Sequence, residues 1–273
     1  MNRYRVMLGM LTILALLFPL GAAGAVGPVT WAEKSNGLEG GRVYAIAEDP
    51  TDARIVYAAT VHAIFRSTNG GETWKRLNTG NFNITHYDLL VDPNEPSTIY
   101  GAATLGITKL TAVDGESNTY QFFPLNLGLY TSVNEVAMDP TSPYALYAAT
   151  SDGVIKSTDA GATWTTMISG LPADNVTSLV FDPLAPGTLY VGTGQSGVYK
   201  STNGGGSWTA VNSGLLSLGI SALEIPAHSP SVLYAGTTYG VYKTGNGGAS
   251  WSAANGSMGS IPVQEVVSDP ADA

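Results

Sequence analysis

Cysteine is absent from the 273-residue chain, and histidine occurs only three times. Without cysteine there is no disulfide framework and no thiolate-bound zinc site. His62, His86 and His228 show no spacing typical of metal ligands, so the sequence predicts neither a metal site nor a cofactor. Basic residues are also scarce, because 12 Lys and Arg stand against 21 Asp and Glu, giving a formal net charge of −9. This balance argues against nucleic acid and against an anionic membrane surface as partners.

A sustained apolar period of 3.6 residues, the mark of an amphipathic helix, is also missing. What recurs instead is an octet, STNGGETW at residues 67–74, with related octets at 157–164, 201–208 and 244–251. Aligned on one aromatic, six units follow one another at intervals of 43, 46, 44, 44 and 43 residues. The aligned aromatics are Trp31, Trp74, Tyr120, Trp164, Trp208 and Trp251.

Each unit holds four short stretches with the residue alternation of β-strands, and its length of about 44 residues is that of one propeller blade. The sequence therefore predicts an all-β fold, a β-propeller of four-stranded blades. We expect five full repeats plus a split or incomplete blade, with six or seven blades if the intact chain continues. One unit departs from the pattern, because residues 109–123 lengthen its octet and Tyr120 replaces Trp.

The octet has the chemistry of a tight turn. Ser or Thr at its first position and Asp or Asn at its third can bond nearby backbone N–H groups, and Gly at its fifth accepts a positive φ. Trp at its eighth position can bury its ring between blades. The predicted structural residues are Ser67, Asn69, Gly71, Trp74, Ser157, Asp159, Gly161, Trp164, Ser201, Asn203, Gly205, Trp208, Thr244, Asn246, Gly248 and Trp251.

This pattern resembles the Asp-box, and the chain resembles the Asp-box (BNR) repeat propellers. Those propellers include sialidases, xyloglucan-cleaving glycoside hydrolases, sortilin-type receptors and photosystem II assembly factors. Because they share a scaffold rather than an activity, the resemblance implies the fold and leaves the function open.

The two ends of the chain carry separate expectations. Arg3 and Arg5 precede an apolar run, and small residues follow it up to Ala25. This order predicts a signal peptide over residues 1–25 and a secreted, periplasmic or cell-surface protein, with the propeller over 26–273. A blade formed from the two ends of the chain would have a last and a first strand but no second and third strands. We therefore expect the propeller to be incomplete at its C-terminus.

A sialidase, as the resemblance implies, needs an arginine triad drawn from separate blades. Lysine is a poor replacement, because a carboxylate clamp requires bidentate donors. Beyond the predicted signal peptide the arginines are Arg42, Arg54, Arg66 and Arg76. All lie near the first full repeat, so sialidase activity is not expected.

A hydrolase of the xyloglucanase type needs only paired carboxylates over a neutral polysaccharide. Asp88 and Glu135 occupy equivalent first-strand positions in neighbouring units, facing the predicted central channel, and are the candidate catalytic pair of this alternative. Against it, the sequence shows no equivalent of that family's catalytic motif, and inverting members use two propellers in a longer chain. Channel-lining acids without a catalytic role are the simpler interpretation.

Functional residues are expected among those that do not recur in register. Phe82, Tyr87, Tyr130, Tyr239 and His62 lie on connections at one face of the predicted propeller and favour a contact surface. The leading interpretation is therefore an exported, non-enzymatic propeller that binds a protein or a neutral glycan through these five residues. A structural repeat segment of a larger surface protein is a further alternative, and the sequence leaves the oligomeric state open.

Overall fold

The structure is a computed structural model that describes residues 33–39, 41–79, 84–113, 120–125, 131–226 and 229–268, with residues 121–125 described by their backbone. The predicted signal peptide lies outside the described residues. So do two of the five predicted contact residues, Phe82 and Tyr130.

Five four-stranded antiparallel sheets make up the fold, each with its strands in chain order. The first sheet contains β1 (Val43–Asp49), β2 (Asp52–Thr60), β3 (Ile64–Ser67) and β4 (Lys75–Arg76). The second contains β5 (His86–Val91), β6 (Thr98–Ala103), β7 (Gly106–Ala112) and β8 (Tyr120–Leu125). The third contains β9 (Val133–Met138), β10 (Leu146–Thr150), β11 (Gly153–Ser157) and β12 (Thr165–Thr166). The fourth contains β13 (Val176–Phe181), β14 (Leu189–Thr193), β15 (Val198–Ser201) and β16 (Thr209–Ala210). The fifth contains β17 (Ile220–Glu224), β18 (Leu233–Thr237), β19 (Gly240–Thr244) and β20 (Ser252–Ala253).

The first strand of each sheet lies beside the first strand of the next, from β1 through β5, β9 and β13 to β17. The sheets are thus arranged as propeller blades around their inner strands, and the predicted all-β propeller fold is confirmed. One short 3₁₀ helix, Gly256–Met258, is the only helix in the described ranges. None of the described segments forms a helix long and apolar enough to span a membrane.

The apolar core lies between neighbouring sheets. Tyr57 of the first sheet packs with Leu89 and Leu110 of the second, and Ile107 of the second packs with Leu146 of the third. The same arrangement joins the third sheet to the fourth and the fourth to the fifth. Because each fully buried Leu or Ile contributes about 1.5–3 kcal/mol, these shared cores hold the sheets to one another.

The repeated octets form the turns between third and fourth strands. In the octet 201–208, Gly205 N–H donates to Ser201 Oγ over 2.9 Å, and Ser207 N–H donates to Asn203 Oδ1 over 2.9 Å. Gly205 has a φ of 85°, which favours glycine. The other three octets repeat both hydrogen bonds. In one of them, bonds from the hydroxyl and backbone of Thr163 lower the pKa of Asp159 to about 2.

The Trp that ends an octet joins its sheet to the preceding one. Trp208 donates from Nε1 to Met167 O over 2.8 Å and from its backbone N–H to Ser169 O over 2.9 Å. Trp251 makes equivalent bonds to residues that follow the fourth sheet, whereas Trp74 makes them to Lys34 and Asn36, which precede the first sheet, and both rings are buried like that of Trp208. Trp164 differs, because its Nε1 donates to Gly161 O inside its own octet. In the departing unit, Tyr120 is buried in place of Trp, and its hydroxyl lies 3.1 Å from that of Tyr57.

A tyrosine on the second strand forms another link between sheets. Tyr147 donates to Gly204 O in the next octet over 2.9 Å, and Tyr190 donates to Gly247 O over 3.1 Å. A lysine from the third strand covers each ring, with Lys156 Nζ 4.8 Å from the centroid of Tyr147. Burial raises the pKa of Tyr147, which keeps its hydroxyl protonated as a donor.

The sequence predicts a further first strand over residues 262–270, but its described part, residues 262–268, does not form a β-strand. Val263 N–H donates to Thr237 O over 2.9 Å, and Ser268 N–H donates to Glu224 Oε1 over 3.3 Å. The segment therefore lies beside β17 as a following inner strand would. Among the described residues it has no outer strand to complete a ladder, which is why it is not a β-strand.

Candidate functional site

The two faces of the propeller carry different connections. The octets and the turns from first to second strand form one face, and four of those five turns carry an Asp-Pro pair, at 49–50, 92–93, 139–140 and 182–183. The other face, here called the loop face, carries the turns from second to third strand and the connections from one sheet to the next. Residue types vary along the loop face, so a site particular to this protein is expected there.

Every inner strand carries a β-bulge at its loop-face end. The register shifts between Val43 and Ala45 in β1 and between His86 and Asp88 in β5, and equivalent shifts occur in β9, β13 and β17. A bulge leaves one residue unpaired and redirects its side chain, and bulges are frequent next to active sites. The unpaired residues, here called the inner ring, are Tyr44, Tyr87, Asn134, Thr177 and Ser221.

The polar members of the inner ring tie one sheet to the next. Asn134 Nδ2 donates to Val176 O over 2.7 Å, and Thr177 Oγ1 donates to Ile220 O over 2.7 Å. Ser221 Oγ donates to the carbonyl of Val263. The side chains at these three positions make structural hydrogen bonds. The other two members of the inner ring are aromatic.

Tyr44 and Tyr87 form an aromatic pair at the junction of the first and second sheets. Their ring centroids lie 5.8 Å apart at an interplanar angle of 80°, an edge-to-face contact. The guanidinium of Arg42 lies over the Tyr44 ring, with its Cζ 4.9 Å from the centroid. Thr104, on a loop-face turn, donates to the Tyr87 hydroxyl over 3.2 Å. The side chains of Arg42, Tyr44 and Tyr87 thus form one cationic and aromatic cluster on the loop face.

The predicted catalytic carboxylates follow the bulges. Asp88 Oδ2 accepts the backbone N–H of Val136 over 3.0 Å, and Glu135 Oε2 accepts that of Leu179 over 3.0 Å. These N–H groups belong to β9 and β13, the innermost strands of the next sheets, and each of these strands pairs with only one other strand in the described ladders. Glu135 is 2% exposed, whereas Asp88 is half-buried. The structure therefore gives both carboxylates a structural hydrogen bond, and their catalytic role stays a prediction.

His86 lies buried directly before Tyr87. Its Nε2 is hydrogen-bonded to Thr108 Oγ1 over 2.9 Å. A Cβ added to Gly101 would lie 2.4 Å from its Cδ2, so only glycine fits behind this ring. Burial lowers the pKa of His86 to about 4, and the imidazole is neutral near pH 7. Close packing of a neutral ring fixes the strand that presents Tyr87.

The described contact residues of the sequence prediction lie on three different sheets. Tyr87 is 36% exposed and contacts Tyr44, while Tyr239 is 61% exposed on a turn of the fifth sheet. His62 is exposed on a turn of the first sheet. Sequence reasoning missed Tyr44 and Arg42, because their proximity to Tyr87 depends on bulges in two neighbouring strands. In the part of the chain with a described structure, no group of three His, Asp or Glu is placed to hold a metal ion.

Comparisons with known proteins include a xyloglucanase and GH74 enzymes. No protein-family model matches the chain. An oligoxyloglucan-reducing end-specific xyloglucanase from Emericella nidulans is 26% identical over 179 residues, which is 57% of this chain and 22% of that protein. The crystal structure of an ancestral GH74 enzyme matches with a TM-score of 0.71 and 26% identity, over 85% of this chain and 33% of the enzyme. The GH74 xyloglucanase from Xanthomonas campestris matches with a TM-score of 0.55 and 19% identity, over 85% of this chain and 50% of the enzyme.

These similarities correct the functional interpretation of the sequence. The prediction of a non-enzymatic binding propeller is wrong, because a xyloglucanase and a GH74 enzyme each match the chain at 26% identity. The interpretation failed because a propeller scaffold by itself does not separate binders from enzymes. The chain spans between a fifth and a half of the length of these proteins.

Proposed function

We propose that this propeller acts in glycoside hydrolysis of the xyloglucanase type, on a neutral polysaccharide. The observation that carries the proposal is the agreement of two comparisons on the same kind of enzyme. One relates the sequence to a xyloglucanase at 26% identity, and the other relates the fold to a GH74 enzyme at 26% identity and a TM-score of 0.71. The formal charge of −9 is compatible with a neutral polymer and would repel a polyanionic one.

The loop face is the proposed substrate surface. It carries the inner ring and the residue types that vary between sheets, whereas the opposite face carries the repeated turns. Tyr87 and Asp88 are consecutive in β5, so an aromatic side chain and a half-exposed carboxylate stand together at the inner end of the second sheet. A glycan on the loop face would meet both.

Asp88 and Glu135 remain the carboxylates proposed for the chemistry. In an inverting hydrolysis one carboxylic acid protonates the leaving oxygen while a carboxylate takes a proton from the attacking water. Asp88 is half-buried and is therefore the more accessible of the two to a substrate. A substrate could reach the buried Glu135 only from the central channel, which β9 faces. Their bonds to Val136 and Leu179 hold both side chains in fixed positions.

Two finer features complete the proposal. We infer that the octets are Asp-boxes, since each combines the hydroxyl, the Asp or Asn and the positive-φ glycine of that turn. We also infer that the protein is secreted, periplasmic or on the cell surface, where a polysaccharide is available. The predicted signal peptide over residues 1–25 supports export, and a mature N-terminus near Val26 on the purified protein would verify it.

The test is release of reducing ends from xyloglucan by the purified chain and by Asp88→Asn and Glu135→Gln. The amides keep an oxygen that can accept the N–H of Val136 or Leu179, so the fold is preserved while acid–base capacity is removed. We expect each substitution to reduce the rate by about 10²-fold or more.

The control is Asp139→Asn on the opposite face, where the side-chain oxygen accepts the N–H of Thr141 and the amide can do the same. It should leave the rate unchanged. A wild-type chain that releases nothing from xyloglucan would overturn the proposed activity. Full activity in both Asp88→Asn and Glu135→Gln would show that these carboxylates are not the catalytic pair.

A further inference from the structure

We propose that Arg42, Tyr44 and Tyr87 form a glycan-binding subsite, here called the tyrosine subsite, at the inner ends of the first and second sheets. The inference rests on the proposed function for the class of ligand, a neutral sugar chain. It goes further by assigning binding to three particular side chains, two of which the sequence did not single out.

Tyr44 and Tyr87 occupy a position that has a structural role in the other three sheets. Five inner strands carry a bulge at the equivalent residue, and Asn134, Thr177 and Ser221 use theirs to bond the backbone of the next sheet. Tyr44 and Tyr87 replace that polar link with an aromatic contact at the junction of the first two sheets. The bulged position is therefore aromatic in the first and second sheets, whereas it is polar and hydrogen-bonded in the other three.

The chemistry of the cluster suits a sugar ring. An aromatic ring has a negative face that attracts the C–H groups of a pyranose, and it contributes a large contact area at low entropic cost. Arg42 is exposed, stacked on Tyr44, and has no hydrogen bond or ion pair with another described residue. Its planar group carries five N–H donors, which can reach neighbouring hydroxyls of one sugar. An aromatic surface beside a fork of donors is a suitable arrangement for a neutral carbohydrate.

Neighbouring side chains hold the two tyrosines of the subsite in place before any ligand binds. Thr104 donates to the Tyr87 hydroxyl, and the neighbouring His86 is packed tightly against Gly101 and Thr108. Tyr44 contacts both the Arg42 guanidinium and the Tyr87 ring. Little rotamer freedom is left to lose on binding, which favours affinity. Asp88 follows Tyr87 directly, so a sugar held here lies beside a proposed catalytic carboxylate.

The experiment measures binding of xyloglucan-derived oligosaccharides by isothermal titration calorimetry, separately from their hydrolysis. We expect Tyr44→Ala and Tyr87→Ala each to weaken binding by about tenfold or more, because each removes one of the two rings. Arg42→Gln, a change at an exposed position, should weaken binding by several-fold while leaving the fold intact. Tyr144→Ala is the matched control, because Tyr144 is an exposed tyrosine on the turn between β9 and β10, on the opposite face.

The outcomes separate this inference from the proposed function. Unchanged affinity in Tyr87→Ala and Arg42→Gln would overturn the subsite even if the wild-type chain hydrolyses xyloglucan. Weakened binding in these variants, with no hydrolysis by the wild type, would support the subsite and reject the proposed activity. Thermal unfolding of each variant serves as the folding check, and loss of affinity in Arg42→Gln with an unchanged melting temperature supports binding over a packing role. A wild type that does not bind the oligosaccharides at all overturns the subsite.

Discussion

The carboxylate of Glu135 accepts the backbone N–H of Leu179 over 3.0 Å, across the boundary between the third and fourth sheets. Ser178 does the same for Leu223 in the next sheet over 3.1 Å, and Asp88 does it for Val136 over 3.0 Å. An inner strand has an edge without a strand partner, and a buried N–H left there would be costly. Side chains from the preceding sheet therefore provide the hydrogen-bond acceptors that a neighbouring strand would otherwise provide.

Glu135→Ala should lower the free energy of unfolding by about 1–3 kcal/mol, because it leaves the N–H of Leu179 buried and unpaired. Glu135→Gln should cost much less, since its carbonyl oxygen can accept the same bond. Urea denaturation of both variants measures the difference. Equal losses for Ala and Gln would mean that charge, rather than the hydrogen bond, is what matters at this position.

Tyr147→Phe should destabilise the protein by about 0.5–1.5 kcal/mol, because it removes the hydroxyl that donates to Gly204 O. Tyr234→Phe is the matched control, because Tyr234 also lies under a lysine but its hydroxyl has no bond to a described residue. Thermal unfolding of the two variants gives the comparison. A loss in Tyr234→Phe as large as that in Tyr147→Phe would contradict the link between sheets.

Gly170→Ala should be strongly destabilising, because two costs combine. The new Cβ would lie 2.3 Å from Trp208 O, and the φ of +89° disfavours alanine. Gly41→Ala carries a similar φ of +77° with nothing within 4 Å, so it isolates the backbone strain. We expect Gly170→Ala to cost about 1–3 kcal/mol more than Gly41→Ala in urea denaturation. Similar costs would show that the Trp208 backbone moves away freely.

Stability should depend on pH through His86. Its pKa is lowered by burial from 6.5 to about 4, so between these values the unfolded chain binds more protons than the folded chain. The free energy of unfolding therefore falls as the pH decreases from about 6.5 to 4, by about 3 kcal/mol from this residue. Denaturation of the wild type and His86→Gln at several pH values measures this part of the slope. A slope that persists unchanged in His86→Gln would assign it to other groups.

The repeat was sufficient to predict the sheets, because each octet marks the same turn once in every unit of about 44 residues. It could not predict the cluster of Tyr44 and Tyr87, since a bulge is a register shift between two strands and depends on their pairing. The hydrogen bonds of Asp88 and Glu135 to the next sheet could not be predicted from the sequence for a related reason. In the fourth sheet the equivalent residue is Ser178, which also accepts a backbone N–H from the next sheet. The residue type at this position therefore varies in the sequence, although the hydrogen bond is retained.

The initial rate of reducing-end release from xyloglucan by the purified wild-type chain, compared with the double variant Asp88→Asn and Glu135→Gln, is the most direct measurement of the proposed activity. We predict clear release by the wild type and at least about 10²-fold less by the double variant, with both proteins showing the same melting temperature. A folded wild-type chain that releases no reducing ends would contradict the assignment of glycoside hydrolysis to this propeller.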